Sequence, residues 1–408
     1  MTAQIILTNQ LGIAVASDTT TTIGKKALQT TSKIVALPWP HRVAVLDAGM
    51  VFVGGLQGRF LLSEWVLSLG DPLPTLGAYV ESFATWVGEH ADDLMVDDAV
   101  AMRDVARGEL VDLWNMGESE WSALDHGDAD HPLVLEAEQL AEALAIVDGY
   151  CERNFTRDPY PDLAGGGLEA LVEASGFDPT PLVDEFLDNL REELHVDGGS
   201  LRSRLGEFVL GSLVRFVGSS DLLKINFAGY GADEMFPAHA ELKVRSIYGR
   251  RLRSETCVHT VSKPWHSTQW FPIAQQDAMA DMLRGMSTER RSAVFSIAAN
   301  LVDGMEKLDE EDKQRFRDQL HEGLDGYFAS HFERYADSTI RSLSLPALAY
   351  YADMLVKIQS MRSEIDRGPV SVGGPIECLT ISRAHGVEWS RRLSTHTDDR
   401  TGEVEIGR

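Results

Sequence analysis

A chain of 408 residues, 44% hydrophobic and 25% charged, can bury a sizeable core in one large domain with insertions or in two smaller ones. No run of about eighteen apolar residues marks a membrane span, and a net charge of -26, with no basic stripe to reverse it, repels a phosphate backbone. Three distant cysteines without a CxxC pair, Cys151, Cys257 and Cys378, exclude a disulfide framework and a zinc site, leaving reduced, mostly buried thiols.

The opening MTAQIILTNQ lacks the basic region, apolar stretch and cleavage site of a secretory signal, so a cytoplasmic protein is expected. Alternation in Gln4 to Thr8, a turn at Asn9-Gln10 and the run Gly12 to Ser17 predict a hairpin. Two further runs, Lys33 to Leu37 and Arg42 to Leu46, flank the breaker PWPH and extend the hairpin to a four-run antiparallel sheet. A helical pattern then covers Val53 to Leu69 and stops at Asp71-Pro72.

Residues 75 to 218 read as mostly helix, beginning at a Thr75 cap with Leu76, Tyr79, Val80, Phe83 and Val87 on one face. Two breaks interrupt the region. The acidic DHGDAD at 125 to 130 lacks the ligand spacing of a calcium loop, and Gly165-Gly166-Gly167 is followed by no lysine of a phosphate loop. Strands return at Leu222 to Ala228, Ala238 to Val244 and Arg251 to Val261. A helix over Ile273 to Met286 and a charged helical segment from 288 to 335 follow. The last helix is capped by Ser344, with Pro346 in its first turn and Leu348, Tyr351, Leu355 and Ile358 on one face. Gly373-Gly374-Pro375 breaks into a closing strand, Ile376 to Ile381, a turn at His385-Gly386 and the run Val387 to Trp389, before a polar tail. Strands at both ends with helices segregated between them predict an α+β fold.

Chemistry is sought first at Thr2. Trimming of Met1 before a small residue would leave a threonine with its hydroxyl and free α-amine on one residue. That amine, with an ordinary pKa near ~8, can take the hydroxyl proton without a histidine. A lysine nearby would favour the neutral amine and the developing alkoxide, and an aspartate would orient that lysine. In the hairpin reading Asp18 ends the second strand at the level of Thr2, and Lys33 opens the third. The same residues also fit a surface ion pair worth about 0–1 kcal/mol. Other motifs are absent: there is no HExxH and no GxSxG elbow. His90, His126, His195 and His259 read as solvated or locally satisfied, and Trp265, Trp270 and Phe271 as core or interface, with a ligand pocket the alternative.

At these residues the chain resembles a known family. The run T-AQIILTNQLGIAVASDTTTTIG, then SKI and VAVLDAG, is similar to the opening of proteasome β-type subunits and the bacterial proteasome-like proteases, which are N-terminal nucleophile hydrolases. Later blocks, LLKINFAGYGADEMFPAHAEL, SLSLPALAYYADMLVKIQSM and RGPVSVGGPIECLTISRAHGVEW, resemble the family's central hairpin, last helix and closing strand. The resemblance implies a four-layer αββα sandwich with large helical insertions. Its core would comprise residues 1-72, 219-286 and 341-392, with insertions at 73-218 and 287-340 and a tail at 393-408. It implies Thr2 as nucleophile and base, Asp18 and Lys33 as the charge pair, and Ser371 as a serine bonding the threonine amine, with Ser267 a candidate for the other. Gly49, or else Ala48, would serve the oxyanion.

By the same resemblance Thr20, Thr21 and Thr22 would form a strand edge that pairs with substrate backbone, although a threonine run also suits a purely structural strand. The implied activity is peptidase chemistry, or amide hydrolysis on a small molecule, without cofactor or metal. The implied assembly is a homo-oligomer, with any ATPase unfoldase a separate partner. Gly368 stands where the family has an acid. That departure and the long insertions also fit a catalytically inactive scaffold or interaction protein.

Overall fold

The computed structural model describes residues 2–23, 26–28, 32–49, 52–117, 121, 133–217, 222–260, 269–305, 309–365 and 372–392. In chain order the first strands are β1 (Ala3–Asn9), β2 (Gly12–Asp18), β3 (Thr21–Ile23), β4 (Lys26–Leu28), β5 (Ile34–Ala36), β6 (Arg42–Gly49), β7 (Phe52–Val53) and β8 (Leu56–Gln57). Helices α1 (Gly58–Ser68), α2 (Leu76–Glu89) and α3 (Asp98–Met116) follow, then β9 (Leu133–Val134) and α4 (Ala137–Asn154). Next come α5 (Gly167–Ser175), α6 (Thr180–Leu194), β10 (Val196–Asp197) and α7 (Arg202–Leu213). The second strand-rich stretch comprises β11 (Leu223–Tyr230), β12 (Ala238–Tyr248), β13 (Arg251–Thr260) and β14 (Gln269–Ala274). Four helices, α8 (Asp277–Arg284), α9 (Thr288–Asp303), α10 (Glu310–Phe328) and α11 (Arg334–Ser342), lead to α12 (Leu345–Ile365), β15 (Ile376–Ser382) and β16 (Gly386–Arg391).

Two five-stranded antiparallel sheets dominate the described residues, ordered β14-β1-β2-β15-β16 and β13-β12-β11-β6-β5. The four-run sheet expected for the first fifty residues is therefore divided between them. β2 spends its second edge on β15, with Ile376 opposite Asp18 and Ile381 opposite Ile13, so β5 and β6 pair elsewhere. The remaining expectation of α+β structure holds.

Period-two alternation sorts the side chains. Ala3, Ile5, Leu7, Ala14 and Ala16 face α8 and α12. Ile6, Ile13 and Val15 face the other way and pack with Ile34, Ala44, Leu46, Ala48 and Ala228 of the second sheet. That sheet turns Val43, Val45, Ile225, Phe227 and Leu242 outward onto α1 and α2, where Trp65 and Phe83 are fully buried. On α12 the buried face is Leu348, Ala349, Ala352, Leu355 and Val356, with Tyr351 and Ile358 only half-buried. Two alanines let the helix sit close to the sheet, which rotates the face away from the expected Tyr351 and Ile358.

Helices α3 to α7 bury a core of their own, which includes Tyr248 at the end of β12. This body is fastened to the sheet by polar contacts: Arg245 bonds Glu109 at 2.6 Å, Tyr150 bonds the other Glu109 oxygen at 2.9 Å, and Arg253 makes a two-pronged contact with Asp162.

Three local expectations are corrected. The helix expected from Val53 begins at Gly58, after the short β7–β8 pair. The helix expected from Ile273 is preceded by β14, which pairs with β1 and places Pro272 opposite Ile5; an edge strand tolerates a proline because its outer side needs no amide donor. Of the three free cysteines only Cys378 is buried, Cys151 being half-buried and Cys257 exposed. Among the described residues no helix is long and apolar enough to cross a membrane, and no group of three or more histidine, cysteine, aspartate or glutamate side chains is placed to hold a metal.

Candidate active site

The site begins with one carboxylate. Asp18 sits at the end of β2 with its side chain fully buried, and an isolated buried carboxylate is costly unless it is paired and hydrogen-bonded. Both requirements are met. Its Oδ1 accepts from the Ala3 amide at 2.9 Å and from the Lys33 ammonium at 2.8 Å. Its Oδ2 accepts from the amides of Thr20 at 3.3 Å and Gly373 at 3.2 Å. One side chain thus ties the starts of β1 and β3 to the glycine turn before β15.

Lys33 precedes β5 and is buried, with only 5% of its side chain exposed. Besides Asp18 it donates to the Thr20 carbonyl, and its own carbonyl accepts from the Asp47 amide at 3.2 Å. Burial pulls the ammonium below the ordinary lysine range, opposed by Asp18 and then by Asp47. With both side chains buried, the surface-pair reading of Asp18 and Lys33 is excluded.

Thr2 is buried at the head of β1, where its carbonyl accepts from the Gln275 amide at 2.9 Å. The residue before Gln275, Ala274, holds a left-handed φ of 62° opposite Ala3. A non-glycine residue in that region stores backbone strain, of a kind that concentrates at functional sites. Continuing the alternation of Gln4 and Ile6 puts the Thr2 side chain on the face toward the second sheet. Lys33 and the Ala3 amide share one acceptor atom, so the ammonium lies beside the residue that follows Thr2.

Several participants were not singled out by sequence. Gln4 reaches across the sheets and donates to the Asp47 carbonyl at 3.0 Å, while its Oε1 is buried without a partner among the described residues. Thr20, by contrast, was expected at an edge open to substrate but is fully buried, with its amide and carbonyl already engaged on Asp18 and Lys33, so it supports the site and offers no free edge; its Oγ1 is unpartnered among the described residues. Ser32 donates to Glu377 at 2.6 Å. Asp47 lies 3.8 Å from Arg59, and burial pushes its carboxyl up to about 6, against the lowering effects of Arg59 and Lys33. The available signal was the polar residue in a strand that is otherwise buried, as at Gln4 and Glu377.

The other expected residues are distributed as follows. Gly49 ends β6 with φ 84°, and a Cβ there would lie 2.2 Å from the Leu222 carbonyl oxygen, so only glycine fits. Thr21 and Thr22 belong to β3, which pairs with β4. Ser371, Ser267, Trp265, His126 and Gly368 lie outside the described residues. The His90 ring bonds the Trp86 carbonyl, as local satisfaction requires, and the His195 backbone amide caps α6. Trp270 and Phe271 lie half-buried on β14, the first beneath Arg284 and the second against His239.

No protein-family model matches the chain, and no curated protein does. Among solved structures it is similar to Anbu from Hyphomicrobium sp. strain MC1, at 13% identity and a TM-score of 0.29. It is also similar to the Gly-1 mutant of that organism's Anbu, at 12% identity and a TM-score of 0.30. In both cases the match covers 98% of this chain and 90% of the other. At such scores the likeness decides neither fold nor chemistry, which stand on the residues themselves.

Proposed function

We propose that this protein is an N-terminal threonine amidohydrolase of the proteasome-like kind, built on the αββα sandwich of N-terminal nucleophile hydrolases and acting on peptide bonds. The observation that carries the reading is the buried Lys33–Asp18 pair at 2.8 Å, with its shared oxygen bonded to the amide beside Thr2. After removal of Met1, the α-amine of Thr2 takes the proton of its own hydroxyl as Oγ1 attacks the amide carbonyl carbon. Lys33 keeps that amine neutral and stabilises the alkoxide, while Asp18 holds Lys33 in place. The amine then protonates the departing nitrogen, leaving an ester on Thr2. Water, deprotonated by the same amine, hydrolyses that ester and restores the hydroxyl.

Gly49 is assigned to the oxyanion, Ser371 to the Thr2 amine, and Thr21 and Thr22 to the substrate backbone. No cofactor takes part. The expected assembly is a homo-oligomer in the cytoplasm that shelters the site, with any ATPase unfoldase a separate partner.

The test is a Thr2→Ala protein assayed against a panel of amide substrates that the parent cleaves. Loss of hydrolysis supports the proposal, and an unchanged rate on every substrate overturns it. An intact mass that retains Met1 would favour a non-catalytic scaffold.

A further inference from the structure

A cationic cavity of about 350 Å³ lies where α4 and the segment after it meet the second sheet, lined by Arg153, Arg157, Lys224, Lys243, Glu255 and Phe216 among others. Four cations facing one carboxylate is the reverse of the chain's balance of -26. The strand register sharpens the point. Lys224 on β11 stands directly opposite Lys243 on β12, and like charges so placed destabilise an antiparallel pair unless something neutralises them. The protein answers Lys243 and leaves Lys224: Glu255, bonded to Arg157 at 2.6 Å, stands opposite Lys243 on β13, and Glu241 approaches Lys243 to 3.6 Å, while Lys224 and Arg153 have no ion-pair partner among the described residues.

The cavity also stands close to the candidate site. Lys224 is the register partner of Ala48, next to Gly49. Leu223 and Ile225 face α1 and α2, so alternation turns Lys224 to the other face, shared with Ala48. On that face Gln4 crosses to Asp47. A substrate chain lying along the end of β6 would need to pass only one strand, β11, to reach this cavity.

We infer that the cavity binds a carboxylate side chain of an acidic peptide. Its consequence for catalysis, a preference for acidic sequences, rests on the hydrolase reading above. The overall charge repels such a peptide at long range, but salt confines that repulsion to about 8–10 Å. Within that distance four clustered cations decide the sign of the field.

The test uses full-length Thr2→Ala protein and two fluorescent peptides, one glutamate-rich and its glutamine counterpart, with binding followed by anisotropy at low and high salt. The glutamate peptide should bind about tenfold more tightly, and the advantage should shrink as salt is raised. It should vanish in the Lys224→Ala, Lys243→Ala double variant and shrink in Arg153→Ala, a change on an exposed helix position that leaves both sheets intact. Equal binding of the two peptides, or a glutamate preference that survives the double variant, overturns the inference. So does displacement by inorganic phosphate without any glutamate preference, which assigns the cavity to a free anion. Hydrolysis separates the two proposals: Thr2-dependent cleavage indifferent to glutamate overturns the acidic preference alone. Selective binding without Thr2-dependent cleavage overturns the hydrolase alone.

Discussion

Two buried ion pairs of nearly the same geometry lie in different parts of the molecule. Glu109 and Arg245 join the helical body to β12 at 2.6 Å, and Asp18 and Lys33 sit at the end of β2 at 2.8 Å, with all four side chains almost wholly buried. Their surroundings differ. Glu109 has one oxygen on Arg245 and the other on Tyr150, and Arg245 is completed by the carbonyls of Ser212 and Arg215. Side chain answers side chain between Glu109, Arg245 and Tyr150, which is how a fastening is built. Asp18 instead is answered by backbone amides from the starts of β1 and β3 and from the glycine turn, at the head of a chain end. Among the described residues an unpartnered polar atom lies near each pair, Thr20 Oγ1 and Gln4 Oε1 here and Arg215 Nε there. Burial pushes Glu109 up and Lys33 down by the same mechanism, so the perturbed ionisation alone does not distinguish a fastening from a site. The neighbours do: Asp18 bonds the amide beside Thr2, whereas Glu109 bonds the side chains of Arg245 and Tyr150.

Lys33→Ala separates the two most sharply. Removing the general-base support should lower amide hydrolysis by about 10²- to 10⁴-fold. The fully buried Asp18 then has no counter-ion, and denaturant melts should show a loss of about 3–5 kcal/mol. Glu109→Gln strips the counter-ion from Arg245 and should cost a similar ~3–5 kcal/mol, while hydrolysis per folded molecule stays at the parent rate. A comparable fall in rate for both variants would erase the distinction.

The smallest expected effect is one of pH. Asp47 titrates at about 6 in the fold against an ordinary value of 3.8, so the folded state holds the proton more tightly. Its contribution to stability is complete below 3.8 and is lost as pH rises through 6. A quarter of this side chain remains exposed, so the pH-dependent loss should be about 1–2 kcal/mol. Asp47→Asn should flatten that part of the stability-pH curve, as thermal melts between the two values would record.

Local pattern in the sequence carried much of this. The alternation of β1 and β2, the cap at Thr75 and the glycine break before β15 were legible because each depends on neighbours in the chain. Pairing was less so. β5 and β6 look like continuations of the first hairpin, and only the capture of the β2 edge by β15 sends them to another sheet. β14 was hidden because Pro272 reads as a breaker until an edge position excuses it. In the site, Asp18 and Lys33 could be reached from the chemistry of a threonine terminus. Gln4, Gln275 and Asp47 could not, since each acts through a contact between distant segments, one of them a bare backbone amide.

The most direct measurement is mass mapping of the purified protein after exposure to an electrophile that reacts only where a hydroxyl and a free α-amine share one residue. A single adduct on Thr2 of a chain lacking Met1, absent from Lys33→Ala, is the expected result. An unmodified Thr2 in the parent protein, or an adduct that forms equally well without Lys33, would contradict it.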